Sequence, residues 1–148
     1  MADMDLADTL STAVLLAGIG QLALVVASLA IPRVLGWRDD TAKLRPLTRQ
    51  VFWTYAAYIW CTNLSFGLVS LRPAWLLDRS PLAAAVTGFI AAYWVGRVAI
   101  QFFYFDRSDA PEGLAVRLAE AALVGLFVFL SAVYGAAVLF NLGALGAA

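Results

Sequence analysis

Long apolar runs alternate with short polar gaps along the chain. Four runs stand out, at about residues 10–31, 51–71, 81–105 and 118–140. Each has the roughly 20 residues that a helix needs to cross a hydrocarbon core about 30 Å thick. Because a backbone inside lipid must satisfy its own hydrogen bonds, all four runs are predicted to be helices. The pattern therefore predicts an all-α membrane protein.

The gaps between the runs are short, so consecutive helices are expected to be antiparallel neighbours. The predicted fold is a four-transmembrane-helix, antiparallel, up-down bundle that forms a single domain over residues 1–148. Local residues predict two of the boundaries. Pro32 is expected to end the first helix, and Ser80 with Pro81 to cap and start the third.

The composition agrees with this class of protein. Hydrophobic residues make up 63% of the chain and charged residues 14%, whereas soluble domains are about half apolar and about a quarter charged. The net charge is zero, with ten basic and ten acidic residues, which argues against a nucleic-acid partner. The expected partners are membrane lipids, with self-association or other membrane subunits.

Lysine and arginine are distributed unevenly between the gaps. The first and third gaps hold seven of them, and the second holds two, Arg72 and Arg79. Basic flanks mark the cytoplasmic side, so the first and third gaps are predicted to be cytoplasmic and both termini to lie on the outer, periplasmic side. The size of the chain is typical of a multi-pass protein of a bacterial inner (plasma) membrane.

The first gap also mixes its basic residues with apolar ones, in PRVLGWRDDTAKLRPLTRQVFW, residues 32–53. Two interpretations stay open. The basic residues are ordinary cytoplasmic flanks, or the segment is a short amphipathic stretch at the membrane surface, with its basic residues near anionic headgroups.

One arginine lies inside an apolar run, in AAYWVGRVAIQFFYFDR, residues 91–107. If the third and fourth helices form a hairpin around a turn near residues 107–110, Arg97 and Glu120 are about equally far from that turn and lie at the same depth. We predict an Arg97–Glu120 ion pair. If the pair is buried, removal of one partner should strongly destabilise the protein. The pair is either a structural contact at the cytoplasmic rim or the anchor of a ligand.

Each predicted helix also carries one polar or small stripe at helical spacing. Polar groups in a bilayer tend to face the bundle interior, so the stripes predict a partly polar interior that either joins the helices or forms a cavity. In the second helix the stripe consists of Gln50, Thr54, Tyr58, Cys61 and Ser65. The candidate intramembrane polar site consists of Arg97, Glu120, Gln101, Gln21, Tyr58 and Tyr93.

Residues for catalysis are scarce in this chain. It has no histidine and a single cysteine, so a Ser-His-Asp arrangement is impossible and no metal-binding cluster is present. We predict no cofactor and no metal. Any catalytic activity would have to depend on the polar residues of the interior alone. The sequence therefore favours a protein that is not an enzyme.

Two segments carry a resemblance to other proteins. RPLTRQVFWTYAAY at residues 45–58, followed by YWVGRVAIQFFYFD at residues 93–106, resembles small four-transmembrane-helix bacterial membrane proteins that have no established activity. The resemblance covers nearly the whole chain. It implies the four-helix fold and no particular activity.

Two classes of function follow from the sequence. The first is a non-catalytic integral membrane protein that acts as a homo-oligomer or as an accessory subunit of a larger membrane complex. It would make protein contacts through small residues such as Gly88 and Ala92. The alternative is a binder or carrier of a small amphipathic ligand, a lipid headgroup or a quinone, in a polar cavity around Arg97 and Glu120.

Overall fold

The computed structural model describes residues 2–105 and 113–145, and within these residues the protein is helical and contains no strand. The helices are α1 (Ala2–Ser28), α2 (Ile31–Val34), α3 (Trp37–Ala42), α4 (Pro46–Ser70), α5 (Pro73–Leu76), α6 (Pro81–Phe103) and α7 (Leu114–Asn141). The four long helices coincide with the four apolar runs. The turn near residues 107–110 lies outside the described residues.

Three stretches of helix are long and apolar enough to cross a membrane: Met4–Val34, Pro81–Phe103 and Leu114–Asn141. The protein is therefore compatible with a multi-pass membrane protein. The helix α4, with 25 residues, has sufficient length but is less apolar than these three. The predicted fourth span stays a prediction, because polar side chains such as Asn63 interrupt its apolar surface.

The helices pack around one apolar core. The most extensive contact is between α6 and α7, and α1 packs on both α4 and α7. The short helix α5 lies against α1, α4 and α6. The largest fully buried apolar side chains are those of Trp94, Tyr134, Leu76, Ile90 and Leu130.

The helix α4 is displaced along the bundle relative to α1. The Trp60 indole N–H donates to the Val25 carbonyl at 3.2 Å, which places these two residues side by side. From that level α1 ends within one turn, whereas α4 continues for 14 residues back to Pro46. At about 1.5 Å per residue, α4 extends roughly 15 Å beyond the end of α1.

Two predicted boundaries have different outcomes. The Ser80 cap is confirmed, because its Oγ accepts the Ala83 N–H at 3.0 Å. The boundary at Pro32 is wrong. The helix α1 already ends at Ser28, and Pro32 lies in the first turn of α2, where no intrahelical partner is needed for the N–H that proline lacks.

Two glycines bring α1 and α4 close together. A Cβ on Gly18 would lie 3.0 Å from Ser70 Cβ and 3.1 Å from the Gly67 carbonyl oxygen. These are rigid parts of α4, so the helices would have to separate to admit even a methyl group. Small residues at such a crossing allow the backbones to approach, and the pairing of α1 with α4 depends on them.

We predict that Gly18→Ala destabilises the protein by about 1–3 kcal/mol, because the added methyl group overpacks the crossing. Gly125→Ala is the matched control: a Cβ at Gly125 meets nothing within 4 Å, and the better helix propensity of alanine should stabilise the fold slightly. Unfolding in mixed micelles, followed by circular dichroism, measures both. A neutral Gly18→Ala would contradict the close crossing.

Candidate functional site

The most deeply buried polar groups form one cluster, with one residue from each long helix. Gln21 of α1 donates through Nε2 to the Tyr134 hydroxyl of α7 at 2.6 Å. Trp94 of α6 donates through Nε1 to Gln21 Oε1 at 3.1 Å. The hydroxyls of Ser70 of α4 and Tyr134 are 2.5 Å apart. None of the four side chains is more than 1% exposed.

The donors and acceptors of this cluster form a chain with one direction. The Ser70 hydroxyl donates to the Phe66 carbonyl at 2.7 Å, so the Tyr134 hydroxyl donates to Ser70 while it accepts from Gln21. The order is therefore Trp94, Gln21, Tyr134, Ser70 and the Phe66 carbonyl. Because buried polar groups are costly unless they are paired, the completed chain stabilises the packing of four helices. It leaves no donor within it for a ligand.

We predict that Tyr134→Phe lowers the free energy of unfolding by about 1–3 kcal/mol, because it leaves the Gln21 amide and the Ser70 hydroxyl without their partner in the core. Tyr104→Phe is the matched control, since Tyr104 is 80% exposed, and we expect no change. Chemical unfolding in micelles compares the two variants. Equal effects would show that the cluster does not contribute through its hydrogen bonds.

A second buried cluster holds the segment between α5 and α6. Asn141 of α7 donates through Nδ2 to the Leu76 carbonyl at 2.8 Å, and its Oδ1 accepts the Arg79 N–H at 3.1 Å. It therefore pairs the carbonyl of the last residue of α5 and one N–H of the non-helical segment that follows. In the same segment, hydrogen bonds from Ser80, first from its side chain and then from its backbone, hold the pKa of Asp78 below its usual value.

Arg97 lies in a separate group near the end of α6. Its Nη1 donates to Gln101 Oε1 at 3.2 Å, and Gln101 Nε2 donates to Glu120 Oε1 at 3.3 Å. The guanidinium carbon lies 4.9 Å from the ring centre of Phe127 and 5.1 Å from that of Phe105. Aromatic rings at this distance attract a cation, so the charge is covered by ring faces and a neutral amide.

This arrangement differs from the direct Arg97–Glu120 ion pair that the sequence predicts. Gln101 bridges Arg97 and Glu120, and the described residues contain one ion pair, Lys43–Asp40, in another part of the chain. Arg97 and Glu120 lie near each other in depth, as a hairpin predicts. The rotation of the two helices is not predicted by a hairpin, and it places Arg97 against Phe127 and Gln101 between Arg97 and Glu120.

The remaining predicted site residues are dispersed. Gln21 belongs to the buried hydrogen-bond chain, and Tyr58 is 66% exposed on α4. Tyr93 of α6 packs edge-to-face on Phe66 of α4, with ring centres 5.3 Å apart. Beside it lies Asn63, whose Oδ1 is buried and has no hydrogen-bond partner in the part of the chain that the structure describes. The six predicted residues therefore do not form one site.

Sequence reasoning missed several members of the buried clusters, namely Ser70, Trp94 and Leu76. Trp94 lies too deep for a membrane-surface belt, and this was the signal for a buried donor that needs an acceptor. Ser70 lies near Gly67 at the end of an apolar run, a spacing typical of close helix contact. The carbonyl of Leu76 has no sequence signal.

We predict that Arg97→Lys lowers the free energy of unfolding by about 1 kcal/mol, because lysine keeps the charge but loses the contact of the guanidinium group with the Phe127 ring. In a Phe127→Leu background the same change should have a smaller effect. A double-mutant cycle measured in micelles tests this, with exposed Arg49→Lys as the neutral control. Additive effects of the two changes would contradict this contact.

Two surface cavities lie away from Arg97. One, of about 220 Å³, is a shallow depression on α4 lined by Gln50, Val51, Thr54 and Tyr55. The other, of about 430 Å³, lies where the chain leaves α1, and is lined by Leu29, Pro32, Arg33, Gly36, Arg38, Asp39 and Trp53. Residues 2–105 and 113–145 contain no group of three or more metal-ligating side chains that could hold an ion.

Neither a protein-family model, nor a curated protein, nor a solved structure matches this chain. The resemblance to small four-helix bacterial membrane proteins therefore stays a prediction.

Proposed function

We propose that the protein is a non-catalytic integral membrane module that acts as a homo-oligomer, with α4 as its contact surface. In this proposal α4 is the fourth span of an antiparallel bundle in a bacterial-type inner membrane. The excess of basic residues in the first and third gaps supports cytoplasmic positions for those gaps and outer positions for both termini.

The exposed polar stripe of α4 is the observation that carries the proposal. The prediction that this stripe faces the interior is wrong, because α4 turns Phe66, Gly67 and Ser70 towards the core instead. All members of the stripe are exposed: Gln50, Thr54, Tyr58, Cys61 and Ser65. Gly88, which the sequence suggested for contacts between proteins, instead faces Val138 of the same chain, 3.8 Å from its Cβ position.

Exposed polar groups are unfavourable against lipid, and α4 is the long helix that falls short in apolar character. Trp60 lies beside Val25, so the adjacent Cys61 is at a depth inside the apolar stretch Met4–Val34. This part of α4 would be stabilised if protein covered it. The helix has one extensive neighbour in its own chain, α1, so the cover would come from another chain.

A second copy of the chain fits this surface. The stripe is uncharged. Thr54 and Ser65 donate to carbonyls of their own helix and can still accept, whereas Gln50 and Tyr58 can both donate and accept. Two copies related by a twofold axis along the membrane normal present the same residue to each other at the same depth. No like charges are brought together in such a pair, and Cys61 would lie opposite its equivalent.

The ligand-binding alternative retains one supporting observation, the buried Asn63 Oδ1 without a partner among the described residues. A water or a ligand donor near Tyr93 would satisfy it. The arginine that the alternative needs is covered by Phe105, Phe127 and Gln101. A ligand at Nη1 of Arg97 would compete with Gln101, and two aromatic rings already lie against the guanidinium, so the first proposal is favoured.

The exposed native cysteine supplies the test. We predict that oxidation of the protein in its membrane with copper-phenanthroline joins two copies through Cys61, because the twofold contact brings these thiols together. The matched control carries Cys61→Ser with Val95→Cys, which moves the thiol to an exposed position of α6. This control should remain monomeric on a non-reducing gel.

Native mass spectrometry of the unoxidised wild type in mild detergent decides between the outcomes. A dimer mass supports the proposal. A monomer that fails to cross-link, or equal cross-linking by the control, overturns it. A second protein in the complex would make the chain an accessory subunit, and a small molecule lost with Arg97→Ala would favour ligand binding.

A further inference from the structure

The cavity at the end of α1 is formed by a sharp turn of the backbone at Gly36. The left-handed backbone at Gly36, with φ of 60°, separates α2 from α3 and turns the chain back towards α4. A Cβ on Gly36 would meet nothing within 4 Å, so glycine is favoured here by backbone conformation. The turn creates a space of about 430 Å³, which is within the usual range for a small-molecule site.

Aromatic contacts hold this turn against α4. The Trp37 ring packs edge-on against Phe52 at 5.1 Å and Trp53 at 6.1 Å between ring centres. The Thr41 hydroxyl donates to the Trp37 carbonyl at 2.6 Å and secures α3. The far wall of the cavity, at Trp53, is therefore fixed relative to Arg33 and Arg38.

The cavity lies at the level where the apolar stretch ends. Trp60 is level with Val25, and Trp53 is seven residues, about 10 Å, further along α4. That position is beyond Ser28, the last residue of α1. The exposed apolar side chains of Val34 and Leu35, 66% and 48% exposed, lie beside it. In the membrane orientation proposed above, this level corresponds to the headgroups of the cytoplasmic leaflet, where tryptophan is enriched.

The lining combines two guanidinium groups, one carboxylate and an indole, with apolar side chains on one side. Among the residues that the structure describes, neither Arg33 nor Arg38 has a hydrogen bond or an ion pair from its side chain. Guanidinium groups bind phosphate oxygens with paired N–H donors. The Asp39 carboxylate can only accept, and it matches a headgroup that carries an amine or hydroxyl donor.

We propose that this cavity binds the headgroup of a membrane phospholipid, with the phosphate on Arg33 and Arg38 and a donor-bearing head group on Asp39. The acyl chains would continue along Leu29 towards the apolar stretch. Trp53 would close the site from the side of α4. This site does not require the contact surface on α4, but its level in the membrane rests on the orientation given with the proposed function.

The test uses the full chain, delipidated in mild detergent and titrated with phosphatidylethanolamine while native mass spectrometry measures the bound fraction. We expect Arg33→Gln with Arg38→Gln to weaken binding by about tenfold or more, because two charge-assisted contacts are lost. The matched control, Arg45→Gln with Arg49→Gln, removes the same charge from the same region outside the cavity. It should retain binding within about twofold, an effect of general electrostatics alone.

Two further titrations identify the source of the phosphate and the role of the carboxylate. Phosphatidylcholine, which has no donor on its head group, should bind more weakly than phosphatidylethanolamine to the wild type, and Asp39→Asn should reduce that preference. Inorganic phosphate should not displace the lipid. Displacement by inorganic phosphate would indicate an anion site and overturn the assignment.

Equal losses in the two arginine pairs would show nonspecific attraction and also overturn the proposal. Circular dichroism checks that each variant is folded. If the Arg33→Gln, Arg38→Gln protein does not fold, the Asp39→Asn titration decides: a reduced head-group preference supports the site, and an unchanged one refutes it.

Discussion

The buried hydrogen-bond chain from Trp94 to the Phe66 carbonyl is the constraint on which the arrangement of the helices depends. It takes one side chain from each of the four long helices, and each group except the ends both donates and accepts. A polar group left unpaired in an apolar interior costs roughly 1–3 kcal/mol in protein mutational data. Helix packings that break the chain are penalised at several residues at once, so the chain selects one relative position for all four helices.

The displacement of α4 follows from that selection. Ser70 is the last residue of α4, and it has to reach Tyr134, seven residues before the end of α7. The helix therefore stops well short of the end of α7, and the chain continues through α5 and a short non-helical segment to α6. Asn141 supplies partners for the Leu76 carbonyl at the end of α5 and for the Arg79 N–H in that segment. At its other end α4 extends past α1 and forms the wall on which Trp37 packs.

Apolar runs were sufficient to predict the four long helices, and helical spacing was sufficient to place Gln21 on an inward face. The axial offsets and rotations could not be predicted. Those of α4 depend on the close approach at Gly18 and Gly67, and a glycine pair is visible in sequence only after the two helices are known to cross. The bridge at Gln101 was missed for a similar reason, because equal depth in a hairpin leaves the rotation of each helix undetermined.

The stripe of α4 shows why polarity alone is an ambiguous signal for the interior. Tyr58 and Gln21 both interrupt apolar helices, yet one is 66% exposed and the other fully buried. Their surroundings in the sequence do not separate them, because Gln21 follows Gly18 and Gly20 and Tyr58 follows Ala56 and Ala57. The difference lies in the packing: Cβ positions at Gly18 and Gly20 lie 3.0 and 2.9 Å from side chains of α4 and α7, so neighbouring helices approach that part of α1 closely.

The distribution of unused hydrogen-bond donors shows where chemistry with other molecules can occur. In the core, the donors of Trp94, Gln21 and Tyr134 are used within the buried hydrogen-bond chain. Arg97 donates to Gln101 and lies against two aromatic rings. At the end of α1, by contrast, Arg33 and Arg38 face an open cavity. A guanidinium has five N–H donors, so water or a ligand must satisfy those in the cavity. The buried hydrogen bonds therefore stabilise the packing of the helices, whereas the guanidinium groups at this cavity have donors left for other molecules.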